Sequence, residues 1–116
     1  MQILLCKSKI TGGTVTNKNI YYEGSVTLDK KFIEKADLIP GEMVYLLNIN
    51  NGARIMTYVI EGTSDSGIIC VNGAAARFFE IGDPVIILSF SFMEKSEAIN
   101  YKTKILRLSK NNKIIE

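Results

Sequence analysis

A glycine followed by a serine interrupts a β-prone stretch near the start of the chain. Residues 19–29, NIYYEGSVTLD, carry aromatic and β-branched residues on both sides of Gly24-Ser25, as strands do. A glycine inside a strand often marks a bulge or a close approach of another backbone. The dipeptide can also do chemistry, because a serine hydroxyl can attack the preceding carbonyl and move the acyl group from nitrogen to oxygen. Elimination and hydrolysis then leave a pyruvoyl group, whereas the simpler interpretation is a bulge or a turn.

A second candidate lies just after Asn51-Gly52, a strong signal for a β-hairpin. The return strand contains Arg54 and Tyr58, and the period of two along a strand puts both on one face. A guanidinium group is a natural partner for a carboxylate, and a phenol can donate a proton. A surface arginine and a half-buried tyrosine are the alternative interpretation.

Two further groups of residues suit an anionic substrate. Small residues follow a buried strand in Asn72-Gly73-Ala74-Ala75-Ala76, where free backbone N–H groups can hold a carboxylate or an oxyanion. Close packing against a neighbouring element explains the same small residues. Lys7 and Lys9, on one side of the first predicted strand, either supply positive charge or face solvent.

The sequence contains no histidine. Ser-His-Asp and Cys-His nucleophilic sites are therefore excluded, and so are zinc sites built on histidine. Two distant cysteines, Cys6 and Cys70, cannot form a four-cysteine site, and their apolar surroundings predict buried, reduced thiols.

The elements that must position these residues are predicted to be mostly short strands with few helices. This pattern predicts a mainly β fold, a compact β-barrel. Strands are predicted at 3–6, 14–16, 20–28, 43–49, 54–60, 68–72, 84–93 and 104–109. Short helices are predicted at 29–38, capped by Asp29 and with Phe32, Ile33 and Ala36 on one face, and at 73–79 and 94–102. Turns are expected at Gly82-Asp83 and over 62–67, and a frayed tail over 110–116.

Composition narrows the class of protein. The 116 residues suggest one domain, and a net charge of +2 argues against nucleic-acid or membrane binding. A hydrophobic fraction of 47% suggests that some apolar surface is buried against a partner subunit. The apolar run at the start is too short for a signal peptide or a membrane span, so a soluble, cytoplasmic protein is expected.

From about residue 3 to about residue 92, the chain resembles the pyruvoyl-dependent aspartate 1-decarboxylases. The motifs that carry the resemblance are Lys9, Tyr22-Glu23-Gly24-Ser25, Asn51-Gly52-Ala53-Arg54, Thr57-Tyr58 and Val71-Asn72-Gly73-Ala74-Ala75-Ala76. Gly82-Asp83 is also similar to the Gly-Asp box of double-psi β-barrels, so the resemblance implies that mainly β fold with short helices.

The resemblance implies a proenzyme that cleaves itself between Gly24 and Ser25. Residues 1–24 become a small β chain, and residues 25–116 become an α chain whose N-terminal pyruvoyl group derives from Ser25. The family forms a homotetramer with active sites between subunits and uses neither a metal nor pyridoxal phosphate. Whether an accessory protein assists maturation stays open.

The implied reaction converts L-aspartate into β-alanine and CO₂ through a Schiff base to the pyruvoyl group, for pantothenate and coenzyme A biosynthesis. The resemblance makes Tyr58 the proton donor and Arg54, assisted by Lys9, the group that holds a substrate carboxylate. It also assigns Thr57 to self-cleavage and substrate contact. The remaining implied pocket residues are the backbone cradle Gly73, Ala74 and Ala75, with Asn72 and Tyr22 lining the same pocket.

One departure from the family pattern stands at residues 11–13. Relatives usually have His-Arg directly after Lys-Ile or Lys-Leu, and this chain has Thr11-Gly12-Gly13 after Lys9-Ile10. The change bears on self-processing and pH profile, and two glycines predict a looser segment. Two alternatives are a poorly processed or inactive member of the fold and a small β-barrel DNA-binding regulator, against which the near-neutral charge argues.

Overall fold

The computed structural model describes residues 1–115. Its strands are β1 (Gln2–Thr14), β2 (Asn17–Asn19), β3 (Ser25–Asp29), β4 (Met43–Asn48), β5 (Arg54–Gly62), β6 (Ile69–Asn72), β7 (Pro84–Glu94) and β8 (Lys104–Arg107). Two short α-helices, α1 (Lys30–Lys35) and α2 (Lys95–Ala98), and a 3₁₀ helix (Gly73–Phe78) connect them. The prediction of a mainly β fold with short helices is confirmed, and the double-psi arrangement stays a prediction.

The strands form one mixed sheet in the order β2-β6-β3-β5-β4-β7-β1-β8. Side chains of one sheet face build the core, and each is at most 1% exposed: Val26, Leu28, Val44, Leu46, Val59, Ile69, Val71, Val85 and Ile87. Burying a side chain of this size stabilises the fold by about 1.5–3 kcal/mol. The opposite face of the sheet carries most of the candidate site residues, among them Ser25, Tyr58 and Asn72. Within residues 1–115, no helix is long and apolar enough to cross a membrane.

Local signals in the sequence predicted two elements correctly. The turn at Asn51-Gly52 joins β4 to β5 in an antiparallel pair, and Gly52 has the positive φ of +75° that such a turn favours. Asp29 caps α1, with its carboxylate accepting a hydrogen bond from the Lys31 backbone N–H at 2.8 Å. The expected helix face of Phe32, Ile33 and Ala36 is buried.

The predicted strand over residues 20–28 is wrong in its first half. β2 ends at Asn19 and β3 begins at Ser25, with a turn between them. The Asn19 side chain accepts a hydrogen bond from the Tyr21 backbone N–H at 3.2 Å, so a side chain satisfies a donor that a strand would give to its neighbour. Gly24 therefore lies at the end of a turn, and the bulge interpretation is wrong.

The C-terminal segment is folded, so the frayed tail is wrong for residues 110–115; residue 116 lies outside the described part. Asn112 is 4% exposed, and its amide binds three backbone groups. Its Oδ1 accepts from the Thr14 N–H at 2.8 Å, and its Nδ2 donates to the carbonyls of Thr14 and Gly67 at 2.9 and 2.8 Å. These contacts join residues that are far apart in the chain, so the local polar sequence Lys-Asn-Asn-Lys gave no sign of them.

The strand β1 is much longer than the predicted 3–6 and includes both Gly12 and Gly13. Gly12 has a φ of +82°, and a Cβ added to it would lie 2.2 Å from the Leu108 carbonyl oxygen. The segment expected to be loose is thus packed closely against the C-terminal strand region. Cys6 and Cys70 are free thiols, but both are half-buried rather than buried.

Candidate active site

Ser25 is the first residue of β3 and is completely buried. It lies directly opposite Asn72 in the antiparallel pair of β3 and β6. Its Oγ accepts a hydrogen bond from Asn72 Nδ2 at 2.9 Å and donates to the Glu23 carbonyl at 3.2 Å. The buried hydroxyl is therefore held by one hydrogen bond to β6 and one to the turn before Ser25, and its attack on the Gly24 carbonyl stays a prediction.

The Asn72 amide has a partner on each side. Nδ2 also donates to Thr27 Oγ1 at 3.1 Å, and the Cys70 thiol donates to Oδ1 at 3.3 Å. Burial raises the pKa of the Cys70 thiol, so it keeps its proton and remains a donor. Thr27 and Cys70 are site residues that sequence reasoning missed, because the strand register that brings them together is not a local signal.

Gly73 packs against the turn before Ser25. It has a φ of +73°, and a Cβ added to it would lie 2.7 Å from both the N and Cα atoms of Gly24 and 3.0 Å from the Tyr22 carbonyl oxygen. Only glycine leaves room for that approach. Asn72 therefore contacts Ser25, and Gly73 packs against Gly24, while the backbone cradle of Gly73, Ala74 and Ala75 stays a prediction.

The other residues of the predicted cradle differ in exposure. Ala75 is buried, whereas Ala74 is exposed, and the Tyr22 side chain is about half exposed. The 3₁₀ helix that carries the alanines is attached at its far end to the β4–β5 hairpin. There Asn48 Nδ2 donates to the Phe78 carbonyl at 2.8 Å and to Asp83 Oδ2 at 2.7 Å.

The predicted turn at Gly82-Asp83 is confirmed and supports this attachment. Asp83 accepts hydrogen bonds from the Glu80 backbone N–H at 2.8 Å and from the side chains of Asn48 and Asn50. The Glu80 N–H, followed by the Asn48 amide, holds the pKa of the Asp83 carboxyl below its usual value. An ionised Asp83 therefore links Glu80, which follows the 3₁₀ helix, to Asn48 at the end of β4.

Tyr58 lies beside Ser25 on the neighbouring strand. β3 and β5 are parallel, with Val26 paired to Val59, so Ser25 and Tyr58 occupy equivalent positions on the same sheet face. Tyr58 is 39% exposed. Thr57 alternates to the opposite face of β5, which also carries the buried Val59.

Lys9 and Arg54 do not join Ser25 within one chain. Lys9 of β1 pairs with Leu88 of β7, and Leu88 pairs with Tyr45 of β4. In the sheet order, β1 is therefore four strands away from β3, which carries Ser25. The Arg54 guanidinium carbon lies 4.9 Å from the Tyr45 ring centroid, over β4 and on the side of β5 away from Ser25. Two groups therefore share the outer sheet face: the Ser25 group, with Tyr58, Asn72 and Gly73, and the cationic group of Lys9 and Arg54.

Comparison with known proteins finds relatives that are similar over nearly the whole chain. The aspartate 1-decarboxylase of Thermoanaerobacter pseudethanolicus is 52% identical over 113 residues, which cover 97% of each chain. The aspartate 1-decarboxylase of Pelotomaculum thermopropionicum is 47% identical over 116 residues, all of this chain and 88% of that one.

The crystal structure of the computationally designed msDPBB_sym2 protein is similar with a TM-score of 0.49 and 13% identity, over 75% of this chain and 96% of that one. The family model described as aspartate decarboxylase matches residues 1–115. The chain belongs to the aspartate decarboxylase family.

Proposed function

We propose that this chain cleaves its own Gly24–Ser25 bond and then decarboxylates L-aspartate to β-alanine and CO₂. The single observation that carries the proposal is the buried Ser25 hydroxyl, held between Asn72 and the Glu23 carbonyl. Family membership supplies the reaction, and the close approach of Gly73 to Gly24 supports the site of cleavage.

The cleavage begins with attack of Ser25 Oγ on the Gly24 carbonyl carbon. The peptide C–N bond breaks, an ester forms, and the hydroxyl proton ends on the released nitrogen. Loss of the Ser25 Cα proton then breaks the Cβ–Oγ bond, leaving a Gly24 carboxylate and a dehydroalanine. Water adds and ammonia leaves, so residues 1–24 and a pyruvoyl-bearing chain of residues 25–116 result.

The residues around position 25 fit a pyruvoyl group. Both Asn72 N–H bonds point toward oxygen atoms on β3, and Gly73 packs against residue 24 without a side chain. The pyruvoyl group supplies an electron sink for the pair released when the substrate α-carboxylate leaves as CO₂. In this proposal the reaction uses neither metal nor pyridoxal phosphate.

The chain's own side chains hold the substrate and move one proton. Tyr58, on the face of Ser25, donates a proton to the carbon that loses CO₂. Arg54 and Lys9 bind the carboxylates of aspartate, and Thr57 contributes to cleavage and substrate contact. The product β-alanine enters pantothenate biosynthesis in the cytoplasm.

We propose a homotetramer in which each site combines the Ser25 group of one subunit with the cationic group of another. The separation of Lys9 and Arg54 from Ser25 supports this arrangement. Large apolar side chains on the surface support it too: Met56 is 62% exposed, Met43 53% and Phe92 67%. Burying such side chains between subunits is favourable.

Denaturing mass spectrometry of the purified chain, incubated warm without any other protein, tests the proposal. We expect two fragments divided between residues 24 and 25, the larger lacking an α-amine and lighter by one ammonia than a simply hydrolysed fragment. Ser25→Ala should remain intact and release no CO₂ from L-aspartate.

Ser66→Ala is the matched control, because the Ser66 hydroxyl also donates to a backbone carbonyl, that of Thr63 at 2.6 Å. This variant should cleave like the parent. A parent chain that stays intact after long incubation would instead be the poorly processed member of the fold, or one that needs an accessory maturation protein. Adding an extract of the source cells distinguishes those two cases.

A further inference from the structure

We propose that Cys70, together with Thr27, is a positioning residue that holds the Asn72 amide with its NH₂ group facing Ser25 Oγ. The inference rests on the proposed self-cleavage and adds residues that the family motifs do not include. It concerns the elimination step, in which Ser25 Oγ becomes an oxygen of the Gly24 carboxylate.

The geometry comes from two consecutive pairs on one face of the β3–β6 ladder. Ser25 lies opposite Asn72, and Thr27 lies opposite Cys70. Asn72 Nδ2 lies 2.9 Å from Ser25 Oγ and 3.1 Å from Thr27 Oγ1, while its Oδ1 lies 3.3 Å from Cys70 Sγ. The amide therefore uses both N–H bonds on β3 and its carbonyl on β6.

An asparagine amide can rotate by 180° and exchange its carbonyl and NH₂ groups. Hydroxyl groups tolerate either orientation, because they both donate and accept. The Cys70 thiol, held protonated by burial, offers a proton to the carbonyl and so favours the observed orientation. Without it, the Asn72 carbonyl loses a partner within a part-buried site.

The orientation matters for the chemistry at Ser25 Oγ. When the Cβ–Oγ bond breaks, that oxygen gains negative charge, and a preorganised N–H donor stabilises it. A rotated amide would place its carbonyl oxygen against the same atom and oppose the step. Removing the thiol should therefore slow elimination about fivefold, the effect of one ordinary hydrogen bond.

The test compares Cys70→Ala, Cys70→Ser and Cys6→Ala. Cys6 is the matched control, because it is also half-buried and its thiol also donates to an oxygen, the Ser8 carbonyl at 3.6 Å. Each chain is followed during self-cleavage by denaturing mass spectrometry, with and without hydroxylamine, which cuts an ester but leaves an amide intact. Thermal denaturation checks that all three variants are folded.

We expect Cys70→Ala to slow spontaneous cleavage about fivefold and to increase the fraction cut only by hydroxylamine. Cys70→Ser should restore the parent rate, since a serine hydroxyl can donate the same hydrogen bond. Cys6→Ala should match the parent. A folded Cys70→Ala chain with the parent's rate and ester fraction would overturn the inference, and so would Cys70→Ser as slow as Cys70→Ala.

A second readout does not depend on cleavage. The side-chain ¹H–¹⁵N resonances of Asn72, recorded on freshly made uncleaved chain, should show faster exchange with water in Cys70→Ala than in the parent or in Cys70→Ser. If the parent never cleaves, the proposed function fails while this measurement still decides the positioning. Unchanged Asn72 exchange in Cys70→Ala overturns the positioning role.

Discussion

At the scale of single residues, the candidate site depends on Gly73, which has no Cβ atom. Gly73 has a positive φ, and the Cβ of any other residue would collide with the backbone of Gly24 at 2.7 Å. Backbone atoms cannot move aside as a flexible side chain can. The position of the bond that is proposed to break therefore depends on Gly73, which follows β6, as much as on Ser25.

Gly73→Ala should slow self-cleavage at least tenfold, because the added methyl group displaces Gly24 from the Ser25 hydroxyl. The fraction of intact chain over time, measured by denaturing mass spectrometry, checks this. Gly41→Ala is the control: Gly41 also has a positive φ, +89°, but a Cβ there would meet no atom within 4 Å. Similar slowing in both variants would show that backbone strain, and not the contact with Gly24, controls the rate.

At the scale of elements, the Thr11-Gly12-Gly13 segment of β1 contacts the C-terminal region of the chain. The Leu108 N–H donates to the Thr11 carbonyl at 2.9 Å, and the Leu108 carbonyl occupies the place where a Gly12 side chain would start. A chain with His-Arg at this point could not pack in the same way, since arginine at residue 12 would meet that carbonyl. The departure from the family pattern is therefore coupled to how residues 108–115 fold.

Gly12→Ala should lower the free energy of unfolding by about 3 kcal/mol, from the left-handed backbone and the overpacking together. Thermal denaturation at fixed protein concentration should show a melting temperature lower by about 10 °C or more. Gly82→Ala separates the two causes, because Gly82 has a φ of +96° but open space around it. If both variants lose the same stability, the contact with Leu108 contributes nothing.

A carboxylate beside the middle of β1 gives the fold a pH dependence. Glu42 Oε2 lies 2.9 Å from Lys7 Nζ and accepts a hydrogen bond from Ser89. Burial by itself raises the pKa of the Glu42 carboxyl, but the hydrogen bonds from Ser89 and Lys7 outweigh it and lower the pKa below 4.5. Glu42 thus connects β1, the start of β4 and β7 when it is ionised.

A lowered pKa in the folded state means that Glu42 stabilises the fold above the ordinary pKa of 4.5 and that this contribution disappears as pH falls below it. Glu42→Gln should therefore lower the melting temperature at pH 7 and flatten its decline between pH 5 and pH 3. Glu34→Gln, at an exposed position of α1, should follow the parent. An unchanged acid profile in Glu42→Gln would contradict the role of this carboxylate.

How much of the fold the sequence could predict depended on how far apart in the chain the contacting residues lie. The β4–β5 hairpin and the cap of α1 follow from neighbouring residues, so Asn51-Gly52 and Asp29 sufficed. The long β1 and the folded tail depend on contacts such as Asn112 with Thr14, which join opposite ends of the chain. In the site, motifs identified Ser25, Tyr58 and Asn72, whereas Thr27 and Cys70 became visible only through the register of β3 with β6.

At the scale of the whole molecule, the separation of Lys9 from Ser25 along the sheet supports the proposed site between two subunits. From Lys9 to Ser25 the path crosses β7, β4 and β5, which is about 19 Å measured along the sheet at the usual strand spacing. Tyr58, by contrast, lies on the strand next to Ser25. In the proposed oligomer, a small dicarboxylate bound at residue 25 therefore contacts Tyr58 of the same subunit and Lys9 of another.

This division predicts complementation between inactive variants. Ser25→Ala lacks the source of the pyruvoyl group and Lys9→Ala lacks the cation, so each alone should have little activity. Coexpressed in equal amounts, they should form mixed oligomers in which about a quarter of the sites combine an intact Ser25 with an intact Lys9 from a neighbour. Decarboxylation of L-aspartate by the purified mixture measures the recovery.

The control pair is Ser25→Ala with Tyr58→Phe, which affects two residues on adjacent strands of one subunit. Every pyruvoyl group in that mixture comes from a chain without the Tyr58 hydroxyl, so no activity beyond that of Tyr58→Phe should return. Recovery with Lys9→Ala but not with Tyr58→Phe assigns the two groups to different subunits. Equal recovery in both mixtures, or in neither, would contradict a site divided between Ser25 and Lys9 in this way.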